Sequence, residues 1–167
     1  MRGRNFEIPP IAPEFRAEPW SRALLDAHTS AHYLSFRHEM DAELFESFRS
    51  FKGVRGVVEN ISNRQGFLPE ATWLIIFFPP GAVMPIYCAS IQATIDHDGL
   101  GAIQNVGVIP AFRRRGLARH CLMRSLAAFK KACVPRVHLE VTAANESALE
   151  LYRKVGFTAT RVVYKTR

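Results

Sequence analysis

Paired cysteines are absent. The three present, Cys88, Cys121 and Cys133, are odd in number and form no C-x-x-C pair, which argues against a disulfide framework and against a cysteine zinc site. A reducing cytoplasm fits that usage best. Long hydrophobic runs are also missing: the longest, Trp73 to Phe78, is far below the ~20 residues that span a bilayer. No early basic segment leads into an apolar stretch, so a soluble protein without membrane partners is expected. The histidines are scattered without metal-ligand spacing, and His97 in "DHDG" reads as a turn residue, so no metal is expected. Neither the G-x-G-x-x-G fingerprint nor the G-K-[ST] ending of a nucleotide-triphosphate loop occurs. Internal repeats, low-complexity blocks and Ser/Gly linkers are missing too, which leaves 1–167 as one domain, poorly ordered over 1–13.

Acidic residues are scarce in one half only. Residues 1–100 hold 9 Lys/Arg against 12 Asp/Glu, whereas residues 101–167 hold 13 against 3. The halves therefore carry about −3 and +10, and the second half calls for an anionic ligand. Nucleic acid, a membrane surface or a phosphorylated cofactor would each supply one.

What is present is a regular alternation of elements in a chain that is 48% hydrophobic. "EFRAEP" reads as a first strand, and "SRALLDAHTSAHYLSFRHEM" and "ESFRSFKGVRGVVENISN" as two helices. "ATWLIIFF", "IYCASIQATI" and "GAIQNVGV" read as an antiparallel meander. Leu117, Cys121, Leu122, Leu126 and Phe129 mark one face of a helix running to about Ala132. "RVHLEVT" is the next strand. Asn145 can cap a helix carrying Ala148, Leu151, Tyr152 and Val155 on one stripe, with Gly156 at its C′ position and "FTATRVVYK" as a closing strand. The expected fold is α/β, a mixed sheet with packed helices in the order β-α-α-β-β-β-α-β-α-β.

Between the third meander strand and the long helix lies "NVGVIPAFRRRGLARHCL". A strand that ends in a tight loop and opens a helix presents unpaired backbone N–H groups and the positive end of the helix dipole. Gly116 lets a ligand approach, Ala118 keeps the first turn slim, and Arg113, Arg114 and Arg115 add charge-assisted donors. A pyrophosphate suits this loop; a solvated basic patch or a phosphate clamp for nucleic acid is the plainer alternative.

This stretch resembles the acetyl-CoA-binding segment of the GNAT superfamily of N-acetyltransferases, in which a strand and a proline precede R/Q-x-x-G-x-G/A. The pattern falls on Arg113, Gly116 and Ala118, with alanine at the third position. A second segment, "LEVTAANESALELYRKVGF", is similar to the family's L-E-V, Asn, A-x-x-L-Y and G-F run. The resemblance implies that Val106, Gly107 and Val108 offer backbone groups to the pantetheine arm of acetyl-CoA. It also implies that Arg113 to Ala118, including Leu117, cradle the pyrophosphate, that Asn145 contacts the cofactor and that Tyr152 lies near its sulfur.

The activity so implied is transfer of acetyl from acetyl-CoA to a primary amine of a small molecule, peptide or protein, with Tyr152 protonating the departing thiolate. Tyr152 otherwise reads as a core tyrosine. Glu140 is either an outward polar residue or the general base, as in similar L-E-V segments of acetylases of ribosomal-protein N-termini. A water held by polar groups such as Gln104 and Asn105 is the alternative base. Glu39, Asp41, Glu43 and Glu46 are a solvated face or a lure for a cationic amine. The chain stops at Arg167, where many members add a further strand on the acceptor side, so acceptor geometry and homodimer contacts stay open. Two rival readings are a basic module for RNA or DNA, which lacks the expected interleaving of aromatic and basic residues, and a CoA-binding sensor without turnover.

Overall fold

The computed structural model describes residues 6–37 and 46–162. They form β1 (Phe15–Pro19), α1 (Leu25–Phe36), α2 (Phe51–Ser62), β2 (Trp73–Phe77), β3 (Ile86–Ile95), β4 (Gly101–Val108), α3 (Leu117–Lys131), β5 (Val137–Leu139) and α4 (Glu146–Val155). The strands make one mixed sheet in the order β1-β2-β3-β4-β5. Neighbours are antiparallel except β4 and β5, which α3 connects as a parallel pair. Up to α4 this is the expected order.

Period-two alternation sorts the sheet's two faces. Ile75, Ala89, Ile91, Ala93 and Ile103 join Leu117, Cys121, Leu122 and Phe129 of α3 in the main core. Leu74 and Ile76 meet Ala27 and Ala31 of α1 on the other face, while Leu25 packs on Val54 and Val58 of α2. Every one of the five apolar positions expected on α3 is buried. Ahead of the sheet, Ile11 packs against the main core, and His120 Nδ1 meets the Pro9 carbonyl at 2.7 Å.

Three expectations need adjustment. The two early helices begin late: a 3-10 turn at Arg22–Leu24 precedes α1, and another at Glu46–Arg49 precedes Ser50, whose hydroxyl accepts from Gly53 N–H and caps α2. β5 covers Val137–Leu139 and not the whole of "RVHLEVT", because its parallel register on β4 stops at Ile103. The closing strand does not form over 157–162: beyond Phe157 every described residue is exposed, which leaves no buried face to set a period. Glu39, Asp41, Glu43 and residues 163–165 lie outside the described residues.

α1 approaches the sheet closely, and two features show how. Gly107 has no room for a side chain, since a Cβ there would lie 2.8 Å from Ser35 Cβ and 2.9 Å from its Oγ. Rotation of the Ser35 side chain cannot relieve this, because its Cβ moves only with the backbone of α1; its hydroxyl donates to the Ala31 carbonyl at 2.6 Å. One turn earlier, Ser90 Oγ of β3 sits between His28 Nδ1 at 2.7 Å and His32 Nε2 at 2.9 Å. Burial pulls both imidazoles down to about 3, and their proximity adds to the effect at His28, so both are neutral at pH 7.

Two outcomes follow from this packing. Gly107→Ala must push α1 away from β4 and should cost about 1–3 kcal/mol of stability, read by urea denaturation. An unchanged midpoint would contradict the close approach. The buried histidines bind protons near pH 6.5 only when unfolded, so they oppose folding increasingly as pH falls from 6.5 toward 3. Between pH 6.5 and 5, His32→Gln should make the stability profile less steep by about 1 kcal/mol per pH unit; an equal slope would show that His32 is not buried as a neutral base.

Candidate active site

The site begins with one extra residue in β4. Gln92 of β3 pairs with Asn105 and Ala93 with Ile103, so Gln104 is bulged out of the ladder. A bulge bends its strand and re-aims the side chains beside it. Before the bulge, Gly101–Ile103 pair with β5; after it, β4 has no strand partner on that side among the described residues. The edge from Asn105 to Val108 is therefore open where two parallel strands part at their C-terminal ends.

Alternation determines what that edge offers. The Ile109 N–H donates to the Cys88 carbonyl of β3 at 2.9 Å, so Gly107 also turns its backbone groups to β3 while Val106 and Val108 turn theirs outward. The outward Val108 carbonyl accepts from Arg113 Nε at 3.1 Å. Val106 N–H and C=O and Val108 N–H are left as the edge's donors and acceptor. Gly107 lies in the expected segment, but its missing side chain makes room for α1.

Past Val108 the chain makes a 3-10 turn at Pro110–Phe112 and enters a loop with two left-handed residues, Arg114 at φ 63° and Gly116 at φ 78°. Gly116 is the N-cap of α3 and has no side chain to cap it. The first helical bond runs from His120 N–H to the Gly116 carbonyl, leaving the N–H groups of Gly116, Leu117, Ala118 and Arg119 outside the ladder. Open space lies where a Gly116 side chain would project. Leu117 is buried in the core and can offer only its backbone.

The three arginines are not equivalent. Arg113 turns back, giving Nε to Val108 and NH2 to the Ser35 carbonyl at 3.1 Å, and so ties the end of α1 to the end of β4. Arg115 lies over the Phe112 ring at 5.1 Å. Arg114 is exposed and close enough to Glu150 of α4 to add to Lys154 in lowering that carboxyl's pKa.

α4 enters from the β5 side. Asn145 Oδ1 accepts from Ala148 N–H at 3.2 Å, the expected cap. At the other end, Phe157 N–H bonds to the Tyr152 carbonyl and Gly156 N–H to the Arg153 carbonyl, each at 2.9 Å, with Gly156 at φ 105°. This is a Schellman closure, and the Phe157 ring meets the Tyr152 ring at 6.0 Å as its apolar contact. The G-F pair thus holds Tyr152, which is buried in the same cluster as Ile109, Phe112 and Leu117. Glu140 is exposed, one residue past β5. Leu139 and Val141 turn to the main core, so alternation puts Glu140 on the opposite face.

That opposite face carries a polar layer that sequence reasoning missed. Besides the His28–Ser90–His32 cluster, Gln92 joins Asn105, and Thr94 joins Gln104, which also meets Arg64. The signal was Ser90, Gln92 and Thr94 at every second position of a strand whose residues from Cys88 to Thr94 are all buried. Among the described residues, no helix is long and apolar enough to cross a membrane.

Residues 22–157 match the acetyltransferase (GNAT) family. The N-alpha-acetyltransferase RimI of Mycobacterium tuberculosis is 46% identical over 55 residues, 33% of this chain and 33% of its own length. The mycothiol acetyltransferase of Beutenbergia cavernae is 32% identical over 108 residues, 63% of this chain and 35% of that protein. The matched chain spans about a third of the length of these relatives. The solved structure of aminoglycoside N-acetyltransferase AAC(6')-Iy in complex with CoA shares the fold, with TM-score 0.68 at 12% identity over 95% of this chain and 97% of that one. A match that runs from the turn before α1 to the residue closing α4 takes in the bulged strand, the arginine loop and the tyrosine helix alike, and the chain belongs to the acetyltransferase (GNAT) family.

Proposed function

We propose that this chain is an N-acetyltransferase that uses acetyl-CoA to acetylate a primary amine. The observation that carries this reading is the continuous path from the open β4 edge, through left-handed Gly116, into the uncapped N-terminus of α3. The donor set fits the cofactor. Val106 C=O and Val108 N–H suit the amides of a pantetheine arm, which leaves the Val106 N–H for the acetyl end. The N–H groups of Gly116 to Arg119 suit a pyrophosphate, with Arg114 and Arg115 beside them. Arg113 supports the loop from behind, and Asn145, whose oxygen caps α4, keeps its side-chain N–H groups for the cofactor. When bound, acetyl-CoA supplies an acetyl group as a thioester, transferred directly to the amine in one ternary complex.

The chain's own residues must then manage protons and charge. An alkylamine pKa of about 10 leaves well under one percent of the acceptor neutral at pH 7, so a base is required. Glu140, on the α1 and α2 side of the parting strands, or a water held by the amides of that face, takes the proton from the amine nitrogen. The Tyr152 hydroxyl, entering from the α4 side, gives one to the departing sulfur. The Val106 N–H, at the end of the open edge farther from the pyrophosphate loop, would face the negative charge that develops on the acetyl oxygen. Relatives named N-alpha-acetyltransferase and aminoglycoside N-acetyltransferase support an amine as the acceptor. A nucleic-acid clamp is not favoured, because Arg113 is turned to protein carbonyls and Arg115 to an aromatic ring.

A thiol-release assay over a panel of primary amines, with a no-acceptor control, tests the reading. At least one amine should raise release above the control. Tyr152→Phe should then lower turnover by roughly 10- to 100-fold and leave acetyl-CoA affinity within a few-fold. Wild-type turnover in that variant would return Tyr152 to a packing role, and release that no amine stimulates would leave a binding protein.

A further inference from the structure

The two amides on the α1 and α2 face of the bulge differ in what they leave available. Gln104 is held at both ends, its Nε2 donating to Thr94 Oγ1 at 3.0 Å and its Oε1 accepting from Arg64 at 3.2 Å. Asn105 is held at one end only, its Nδ2 donating to Gln92 Oε1 at 3.3 Å. It is half-buried, and its Oδ1 has no protein partner among the described residues.

The direction of this contact is not free to reverse. Gln92 is fully buried, and its other end meets the Val58 carbonyl of α2 at 3.2 Å. A carbonyl only accepts, so Gln92 must present Nε2 to Val58 and Oε1 to Asn105. Asn105 must answer with Nδ2, which turns its Oδ1 away from Gln92. The backbone of α2 thus sets the polarity of a side chain on the open part of β4.

We propose that Asn105 Oδ1 accepts a hydrogen bond from the acceptor amine, with Gln92 as the positioning residue that fixes it as an acceptor, so that the site selects primary over secondary amines. This rests on the acetyltransferase reading above. A neutral primary amine attacks through its nitrogen lone pair and carries two N–H bonds. As the new C–N bond forms and the C–S bond breaks, one proton passes to the base, and Tyr152 supplies one to the sulfur. The other proton stays on nitrogen and becomes the N–H of the amide product; this is the one that Asn105 holds. A secondary amine has a single N–H, which must leave, so nothing remains for Asn105 to hold during transfer.

The test compares kcat/KM for an accepted primary amine and its N-methyl analogue. Wild type should prefer the primary amine by roughly tenfold or more, the scale of one well-placed hydrogen bond. Asn105→Ala should lower the primary amine's value by about that factor and leave the N-methyl analogue within two- to threefold, collapsing the preference. Gln92→Met should act in the same direction. In the cofactor-free protein, the Asn105 side-chain NH2 signals should be protected from solvent exchange, and Gln92→Met should remove that protection. A preference that survives Asn105→Ala, as a steric one would, overturns the inference even if Gln92→Met fails to fold. Equal losses for both amines overturn it as well, by making Asn105 merely structural. If no amine is acetylated by wild type, the acetyltransferase reading fails first and takes this inference with it.

Discussion

One extra residue in β4 divides a strand that would otherwise pair along its whole length. Before Gln104 the strand is an interior member of the sheet, hydrogen-bonded to β3 and β5; after it the β5 side stands open among the described residues. A sheet edge with unpaired N–H and C=O groups invites another strand unless something else occupies it. Here the opening lies inside the sheet, walled by α1 on one face and by α3 and α4 on the other, so a slender ligand with amide groups is better matched than a second protein. The same bulge places Gln104 and Asn105 together on the α1 and α2 face, where strict alternation would have separated them.

The loop after β4 depends on this opening and is built to keep it. Left-handed Arg114 and Gly116 turn the chain from strand into helix without a capping side chain, which leaves the first-turn N–H groups of α3 for a ligand. Arg113 joins the carbonyls of Ser35 and Val108 and locks α1 to the end of β4. Gly107 allows the same contact by lacking a side chain. The proposed wall of the acceptor side and the start of the proposed cofactor cradle are thus one packed unit, and loosening α1 should disturb both.

Much of this was readable in advance. The bounds of β3 and β4, the buried stripe of α3, the Asn145 cap and the Gly156 terminator follow from local patterns, and local patterns survive packing. The consecutive polar pair Gln104 and Asn105 within an alternating strand was a visible sign of the bulge, but only pairing with Gln92 and Ala93 shows it as one. β5 was overestimated because its end is decided on β4 and not within its own residues. The tie of Arg113 to Ser35 and the His28–Ser90–His32 cluster were hidden because the partners are 78, 62 and 58 residues apart in sequence. Long-range partners leave no mark on local periodicity.

The central claim is that backbone geometry at the start of α3, more than the arginine charge, makes this a coenzyme A site. Isothermal titration of acetyl-CoA into wild type, Gly116→Val and Arg114→Ala, with NAD as control ligand, tests it most directly. Acetyl-CoA should bind wild type and NAD should not. A β-branched residue is strained at φ 78°, so Gly116→Val should lose about 2 kcal/mol or more of binding, and Arg114→Ala about 1 kcal/mol or less at physiological salt. Absence of acetyl-CoA binding at millimolar concentration, or loss of binding in Arg114→Ala with tolerance of Gly116→Val, would contradict the account.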